Sequence, residues 1–554
     1  MVLLAIGLLT GCKPASQSKD TAPPQPVAPP NALQLLFTYG SEKEEWVKAV
    51  TADFNRQGIK TASGKPIFVK AVPKGSGELI DGLLNGTDQA HLASPASAAF
   101  IKLGNAQSRA KTGQDLIAST DNLVLSPVVI AMWQPMAEAL GWGKKPVGWS
   151  DILAVAGSQK GWGDFGYSQW GRFKFGHTHP QFSNSGLISL FAEVYAATGK
   201  VANISAADIA KPETARYLDG IERSVVHYGS STGFFGKKMF GNGPEFLSAA
   251  VLYENMVIES HSPKYQLPFP IVAIYPKEGT FWSDHPAGIV ERPWVTPEHR
   301  EAAKKYIAFL LERPQQERAL EFGFRPSAVD VPLGAPIDLA HGVNPKEPQT
   351  TLEVPSADTM DAILRLWQDH KKRSNITLVF DVSGSMKEQN KIGSARNGAL
   401  ELLKSLSDAD YFALMPFNQV ILANDAPAQL GASRRQAEGK VKSLFADGGT
   451  ALYDAVLAAY RGQMDRAAAN TGKISAVVVL TDGADTNSVI KLPELLKQIR
   501  FDAEQHNIRI FTIGYGTDAQ MDVLQKISDA TQAKAYVGTP ENIREVFKDI
   551  STFF

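Results

Sequence analysis

From residue 33 to the end of the chain, apolar runs of strand length alternate with amphipathic helical stretches, and the alternation breaks once, in the proline-rich text of residues 326–355. Alternation of this kind buries strands between helical layers, so it restricts the chain to α/β architectures. At 554 residues the chain exceeds what one hydrophobic core sustains, and the break is read as a domain boundary with a linker over 326–373. In the first segment, 33–325, Leu33 to Tyr39 reads as a strand. The Ser41 to Glu44 spacing predicts a capping box that starts a helix carrying Trp46, Val47, Val50 and Phe54. A second unit runs from Ile67 to Val72, through Lys74-Gly75-Ser76-Gly77, into a helix from Glu78 to Leu84 that Asn85-Gly86 ends. In the second segment, 374–554, the runs Ile376 to Phe380, Tyr411 to Met415, Ala476 to Leu480 and Ile508 to Ile513 have buried-strand length. Helical patterns over Ala451 to Met464 and Pro493 to Gln505 lie between them. A doubly wound parallel sheet is expected there, with ligands at the carboxyl ends of its strands.

Charge and cysteine content exclude several function classes. Lys+Arg at 56 against Asp+Glu at 57 gives a net charge of -1, so no strongly basic surface for nucleic acid is expected. The only cysteine is Cys12, which leaves no disulfide and no thiolate metal site. It ends an apolar run from Leu3 that is too short to span a bilayer. Leu9-Thr10-Gly11-Cys12 resembles the bacterial lipobox, which implies a signal peptide over 1–12 and lipidation of Cys12. Residues 13–32, rich in Pro, Ser and Ala, read as an extended tether. The expectation is a lipid-anchored protein of the bacterial cell envelope, touching membrane through the lipid alone. Lys13, rather than Asp, after the cysteine favours the outer membrane or the surface.

The chemistry-bearing pattern lies in the second segment. The strand ending at Phe380 runs directly into Asp381-Val382-Ser383-Gly384-Ser385, a second strand end carries Thr481-Asp482-Gly483, and Gly448-Gly449-Thr450 opens a helix. Asp381, Ser383, Ser385, Thr450 and Asp482 all donate hard oxygens, which favours Mg²⁺, Mn²⁺ or Ca²⁺ over zinc or copper. Two carboxylates balance a divalent cation while neutral hydroxyls fill its shell without quenching it, so a vacant position would attract an external carboxylate. An EF-hand is excluded, because Met386 and Ile392 stand where it needs Gly and Glu. With DVSGS, GGT and TDG in order, residues 374–554 resemble a von Willebrand factor A domain with a complete metal-ion-dependent adhesion site. That resemblance implies that the two serines ligate the ion directly, that the aspartates and threonine act directly or through water, and that an acidic residue of a protein partner takes the sixth position. Asp447 and Asp485 are read as solvated loop residues.

Residues 33–325 resemble bacterial extracellular solute-binding proteins, with two α/β lobes of the type II periplasmic arrangement. The pieces in order are GSGELIDGLLNG at 75–86, HLASPAS at 91–97, SPVVIAM at 126–132, PIVAIYPKEGTFWSDHP at 270–286 and GFRPS at 323–327. The segment His179 to Gly186 precedes an apolar helix and presents hydroxyls and free N–H groups at its start, which favours an anion or polar solute. Candidate solute contacts are Ser41, Ser76, Ser94, Ser126, Ser183 and Ser185, with Tyr253, Glu254 and Tyr275 closing the cleft. The combined expectation is a binding protein rather than an enzyme: no Gly-x-Ser-x-Gly, His-Glu-x-x-His or Gly-x-x-x-x-Gly-Lys motif is present. The alternatives are a solute receptor for an ABC-type importer with a structural C-terminal module, and a metal-assisted hydrolase.

Overall fold

The structure, a computed structural model, describes residues 27–466, 472–500 and 508–554. The signal run, Cys12 and the tether up to residue 26 lie outside the described residues. The N-terminal segment forms two sheets. The first carries the strands Ile67–Lys74, Leu33–Gly40, Leu92–Ser94, Pro286–Ile289 and Asp121–Asn122 in that order, the first three parallel. The second is built on the long strand Val124–Trp133, which pairs antiparallel with Ala249–Tyr253 and Ile271–Ile274; Phe175–Thr178 and Val225–Gly229 extend it. Leu123 and Val124 belong to the core of the first lobe and Val128 to Trp133 to that of the second, so this strand is the crossover between lobes.

The expected helix after the first strand forms at Glu44–Gln57, and it buries Trp46, Val47, Val50 and Phe54. Its start differs from expectation. Residues Ser41–Lys43 form a separate 3-10 turn, and the Ser41 hydroxyl accepts from Gly233 N at 3.1 Å instead of capping its own helix. A contact with the other lobe therefore replaces the local cap, because the buried N–H of Gly233 at a helix start of the second lobe reaches the same oxygen.

Between the lobes, Lys43 Nζ donates to Glu42 Oε1 at 2.8 Å, and His285 Nδ1 lies 3.2 Å from Lys43 Nζ and 3.3 Å from Glu42 Oε1. All three side chains are buried. Burial, reinforced by the Lys43 ammonium, pulls the His285 imidazole down to about 4. The native state thus refuses a proton that the unfolded chain takes at its ordinary value of 6.5. Stability attributable to His285 is full above pH 6.5 and is lost as pH falls toward 4, by about 3 kcal/mol in all. The urea midpoint should fall across that window, and His285→Gln should flatten the fall; an unchanged slope in the variant would assign the acid sensitivity elsewhere.

Of residues 326–373, expected as a linker, Ser327 and Ala328 bond to Gln316 and Leu123 of the first lobe, and most of the rest folds against the second lobe. Ala273 N donates to Gly342 O at 2.8 Å, and Leu352 N to Thr280 O at 2.8 Å. The helix Ala357–His370 follows, with Met360, Ile363 and Trp367 buried. Proline content in this stretch sets its shape without freeing it, since Ile337, Val343 and Leu352 all find apolar cover.

The C-terminal sheet has the strands Ala428–Gln429, Tyr411–Phe417, Arg373–Asp381, Lys473–Thr481, Ile508–Tyr515 and Ala535–Gly538 in spatial order, parallel except for the first short edge strand. The earliest strand in sequence, Arg373–Asp381, is central, and its neighbours run outward in both directions. That reversal is the switch point at which doubly wound sheets open a crevice at their carboxyl ends. The helix expected from Pro493 to Gln505 runs over Leu492–Gln498; residues 501–507 lie outside the described residues.

Candidate metal centre and interlobe polar network

The crevice at the switch point collects the three dispersed loops. Val382 N donates to Phe417 O at 2.8 Å, Asp447 N to Val382 O at 2.7 Å, and Gly384 N to Gly448 O at 2.8 Å, so backbone bonds stitch DVSGS to GGT. Gly448 has φ +81°, a left-handed backbone conformation that favours glycine. Thr450 N is held by Thr486 Oγ1 at 3.0 Å and by Asn487 Oδ1 at 3.2 Å, which fixes GGT against the TDG loop.

Within this frame the side chains converge. Ser383 Oγ lies 3.1 Å from Ser385 Oγ, and Ser385 Oγ donates to Asp482 Oδ1 at 2.7 Å. Asp381 accepts from Ser383 N at 2.7 Å and from Thr481 Oγ1 at 2.5 Å. Asp381, Ser383, Thr450 and Asp482 are all buried. Burial first, and then the neighbouring Asp482, pushes the Asp381 carboxyl up to about 6 despite the hydrogen bonds that oppose the shift. Two buried carboxylates side by side repel each other, and a divalent cation relieves that repulsion.

The glycine of TDG supplies a test of fit. A Cβ on Gly483 would stand 3.9 Å from Ser385 Oγ and 4.0 Å from Thr450 Oγ1. Both hydroxyls therefore lie within contact distance of one point beside Asp482, and these hard-oxygen donors suit a divalent cation. Among the described residues no group of three or more His, Cys, Asp or Glu side chains is placed to hold a metal. His177, one of a pair two residues apart, instead meets Glu222 Oε1 through Nε2 at 3.0 Å.

Sequence reasoning missed Lys391. Its Nζ donates to Asp482 Oδ2 at 2.8 Å and lies 3.8 Å from Asp518 Oδ2, with the side chain 6 % exposed. Burial pulls the ammonium down, but Asp482 outweighs it and the net shift is upward. The ammonium occupies one carboxylate oxygen of Asp482 and leaves Oδ1 to the crevice. Lys391 follows the Asp-x-Ser-x-Ser motif by six residues, across an irregular turn with Gln389 and Asn390 at positive φ, a conformation no periodic pattern announces.

The candidate solute residues divide into two groups. Ser183 Oγ lies 3.2 Å from Thr232 Oγ1; Ser185 Oγ lies 2.8 Å from Thr178 Oγ1 and accepts from Thr232 at 2.9 Å. Asn184 is the hub that sequence reasoning missed: it accepts from Ser97 Oγ at 2.5 Å and donates to Tyr253 OH at 3.0 Å and Ser283 Oγ at 3.3 Å. Ser76 Oγ accepts from Ala96 N at 2.9 Å, Ser94 Oγ donates to His285 O at 3.5 Å, and Ser126 Oγ donates to Asn255 Oδ1 at 3.2 Å. The first-turn N–H groups of Gly77 and Glu78 donate to Phe182 O at 2.9 and 3.2 Å, so the second lobe caps this helix of the first. Glu254 and Tyr275 stand apart. Glu254 accepts both arms of Arg325, at 2.8 and 2.7 Å, and the Tyr275 hydroxyl, while Arg325 also reaches Asn344 O and Pro345 O. Their buried ion pair anchors the folded connection. A cavity of about 440 Å³ opens where both lobes meet the C-terminal domain, lined by Ser41, Lys74, Ser231, Lys237, Lys534 and Asp549 among others.

Comparison with known proteins agrees with this division. Residues 375–551 match the von Willebrand factor type A domain family, and residues 106–344 match the bacterial extracellular solute-binding protein family. The chain thus joins a solute-binding-protein region to a von Willebrand factor type A domain. Inter-alpha-trypsin inhibitor heavy chain H2 of Homo sapiens is 26% identical over 192 residues, 32% of this chain and 20% of that protein. An uncharacterized protein of Synechocystis sp. is 26% identical over 191 residues, 33% of this chain and 42% of the other. The chain accordingly spans less than half the length of either relative. Among solved structures, a periplasmic thiamin binding protein is 14% identical and covers 63% of this chain and 100% of its own at a TM-score of 0.45. No helix among the described residues is long and apolar enough to cross a membrane.

Proposed function

We propose that this is an exported, lipid-anchored binding protein of the bacterial cell envelope. Its C-terminal domain recognises an acidic group on a protein partner through a divalent cation, magnesium foremost. Asp381, Ser383, Ser385, Thr450 and Asp482 would hold the ion, which when bound supplies an electrophilic position for an external carboxylate. The observation that carries this reading is the linked set in which Ser383 meets Ser385, Ser385 meets Asp482, Asp381 holds the Ser383 backbone, and the Ser385 and Thr450 hydroxyls both come near Gly483. The balance of charge supports it: Lys391 offsets one of the two carboxylates, so a bound divalent cation keeps surplus positive charge for a partner to neutralise. Binding is favoured over hydrolysis because the carboxylates already accept fixed donors and no histidine is among the five ligands, which leaves no evident base.

A small polar or anionic solute in the N-terminal region is the second part of the reading. The family match over residues 106–344 supports it. An importer receptor with a purely structural C-terminal domain would instead show stabilisation by solute that Asp381→Ala leaves untouched. The decisive experiment is calorimetry on full-length, EDTA-stripped protein. Magnesium or manganese should bind with heat near one equivalent, and absence of heat with any divalent salt would end the adhesive reading.

A further inference from the structure

Where the two N-terminal lobes meet, polar groups of the expected solute cleft bond to each other. Gly77 N and Glu78 N stand in the first turn of the first-lobe helix Ser76–Asn85, where an amide has no acceptor in its own helix. Both donate to Phe182 O of the second lobe, at 2.9 and 3.2 Å. Gly233 N, in the first turn of the second-lobe helix Thr232–Asn242, donates the other way, to Ser41 Oγ at 3.1 Å. Ser97 Oγ donates across the lobes to Asn184 Oδ1 at 2.5 Å, and Asn255 Nδ2 to Glu42 O at 3.2 Å. An oxygen seated on a helix N-terminus is the contact a polar or anionic solute would make there, and Phe182 O supplies it from within the chain.

Three glycines show how closely the lobes approach. A Cβ on Gly77 would stand 2.0 Å from Gln181 O, one on Gly75 2.5 Å from Phe182 O, and one on Gly233 2.8 Å from Ser41 O. Each of these oxygens is backbone, which cannot swing aside as the end of a side chain does, so an added methyl group would hold the lobes apart. Leu79, Ile80 and Leu83 of the first-lobe helix also share one continuous buried cluster with residues of the second lobe, so closure is apolar as well as polar.

The C-terminal part of the chain fastens this seam. Lys548, on the last helix Ile543–Ser551, pairs with Asp81 of the first lobe and stands 5.5 Å from the Phe182 ring of the second. Lys534 stands 4.9 Å from the ring of Phe234 in the second lobe, and Lys102 of the first donates to Val354 O of the connection at 3.4 Å. A cavity of about 300 Å³ lies along the seam, with Ile80 and Asp81 from one lobe, Gln181 and Phe182 from the other, and Asp361 and Leu364 from the connecting helix.

We propose that the chain latches its own two lobes shut, with Phe182 O as an internal occupant of the cleft and the C-terminal domain as a strap across the seam, so that a solute enters only when the strap loosens. The latch rests on the solute reading for the role of the cleft and is independent of the metal. Its test needs no solute, so the latch can fail while the solute reading stands.

The test is hydrogen exchange, followed by mass spectrometry, on full-length protein that native mass spectrometry shows to carry no small molecule. A first-turn amide facing water exchanges freely, so slow exchange at Gly77 and Glu78 is expected only while Phe182 O covers them. Lys548→Glu sets a carboxylate against Asp81 and takes the cation from the Phe182 ring. Exchange at both amides should quicken about five- to ten-fold. The melting temperature should hold, because both members of the pair are nearly half exposed. Gly77→Ala is the stronger lever. Alanine favours a helix over glycine and by itself would slow exchange at Glu78, whereas separated lobes speed it. Gly233→Ala makes the same test from the opposite contact, should the first variant fold poorly. Free exchange at Gly77 and Glu78 in the unsubstituted protein overturns the proposal, as does slow exchange that neither glycine variant changes. Slow exchange untouched by Lys548→Glu overturns the strap.

Discussion

Asp482→Ala should abolish the rise in melting temperature that magnesium or manganese confers on the full-length protein, and should also lower stability in the absence of metal. The first effect follows from removing one of only two carboxylates at the centre. A ligand that binds only the native state at a hundred times its Kd adds about 2.7 kcal/mol, and that increment disappears with the site. The second effect comes from Lys391. Its ammonium loses the partner at 2.8 Å and keeps only Asp518 at 3.8 Å, so a buried cation is left poorly compensated. Breaking such a pair costs about 3 kcal/mol. Ser383→Ala separates the two, because it removes a hydroxyl ligand and leaves the Lys391 pair in place. It should lose the metal-dependent shift with little change in the metal-free melting temperature. A magnesium-induced shift that survives Asp482→Ala would place the ion elsewhere.

Trp367→Ala is expected to be the most damaging single change in the connection between the two families' regions, costing about 3–5 kcal/mol by cavity formation. The indole is fully buried in the helix Ala357–His370 and meets the ring of His179 at 4.9 Å and that of Tyr228 at 5.5 Å, both edge-on. Its Nε1 donates to Glu222 Oε1 at 3.2 Å, and Glu222 also accepts from the Tyr228 hydroxyl at 2.6 Å. This helix is the covalent path from the second lobe to the central strand Arg373–Asp381. Beyond it the two parts touch through polar contacts, among them Lys372 Nζ to Val225 O at 2.8 Å, Lys238 Nζ to Ala533 O at 3.1 Å and the pair Lys548 with Asp81, and through ring contacts such as Phe234 with Phe553 at 6.1 Å and Arg509 over Phe246 at 4.6 Å. Differential scanning calorimetry should show one transition in the native protein and two in the alanine variant, because the part-buried contacts that remain replace none of the packing lost with the indole. Trp367→Phe keeps most of the ring and should lose only the hydrogen bond, about 1 kcal/mol. A single transition at an unchanged temperature in Trp367→Ala would show that the helix is a passive tether.

Four of the five candidate metal-centre residues were legible because they stand where an apolar strand gives way to short oxygen-bearing side chains, and Thr450 because Gly448-Gly449 opens a helix. Asp381 and Asp482 follow parallel strands that pair residue for residue, from Arg373 with Lys473 to Phe380 with Leu480. Two such strands in register bring their carboxyl ends side by side, so adjacency in space was implied by pattern. Lys391 was not legible. It reaches Asp482 across an irregular turn, and nothing in its sequence neighbourhood separates it from a solvated lysine. Asn184 was hidden for a similar reason: as the first residue of an apolar helix it reads as a capping position, while its partners Ser97, Tyr253 and Ser283 come from three distant parts of the chain.

The capping box at Ser41 illustrates the limit from the other side. The spacing to Glu44 is correct, yet the hydroxyl serves Gly233 across the lobes. Local hydrogen bonds and tertiary ones compete for the same oxygen at similar net energy, so position in the fold decides. By itself the sequence determined the α/β layering, the two families and five candidate oxygen donors at the strand ends, because these rest on periodicity and on short motifs whose chemistry is local. Only the tertiary structure decided that most of residues 326–373 fold against the second lobe, that Glu254 and Tyr275 hold Arg325, and that Lys391 shares Asp482. Those outcomes depend on which buried group lies nearest once the chain has closed, and burial makes the choice costly to reverse.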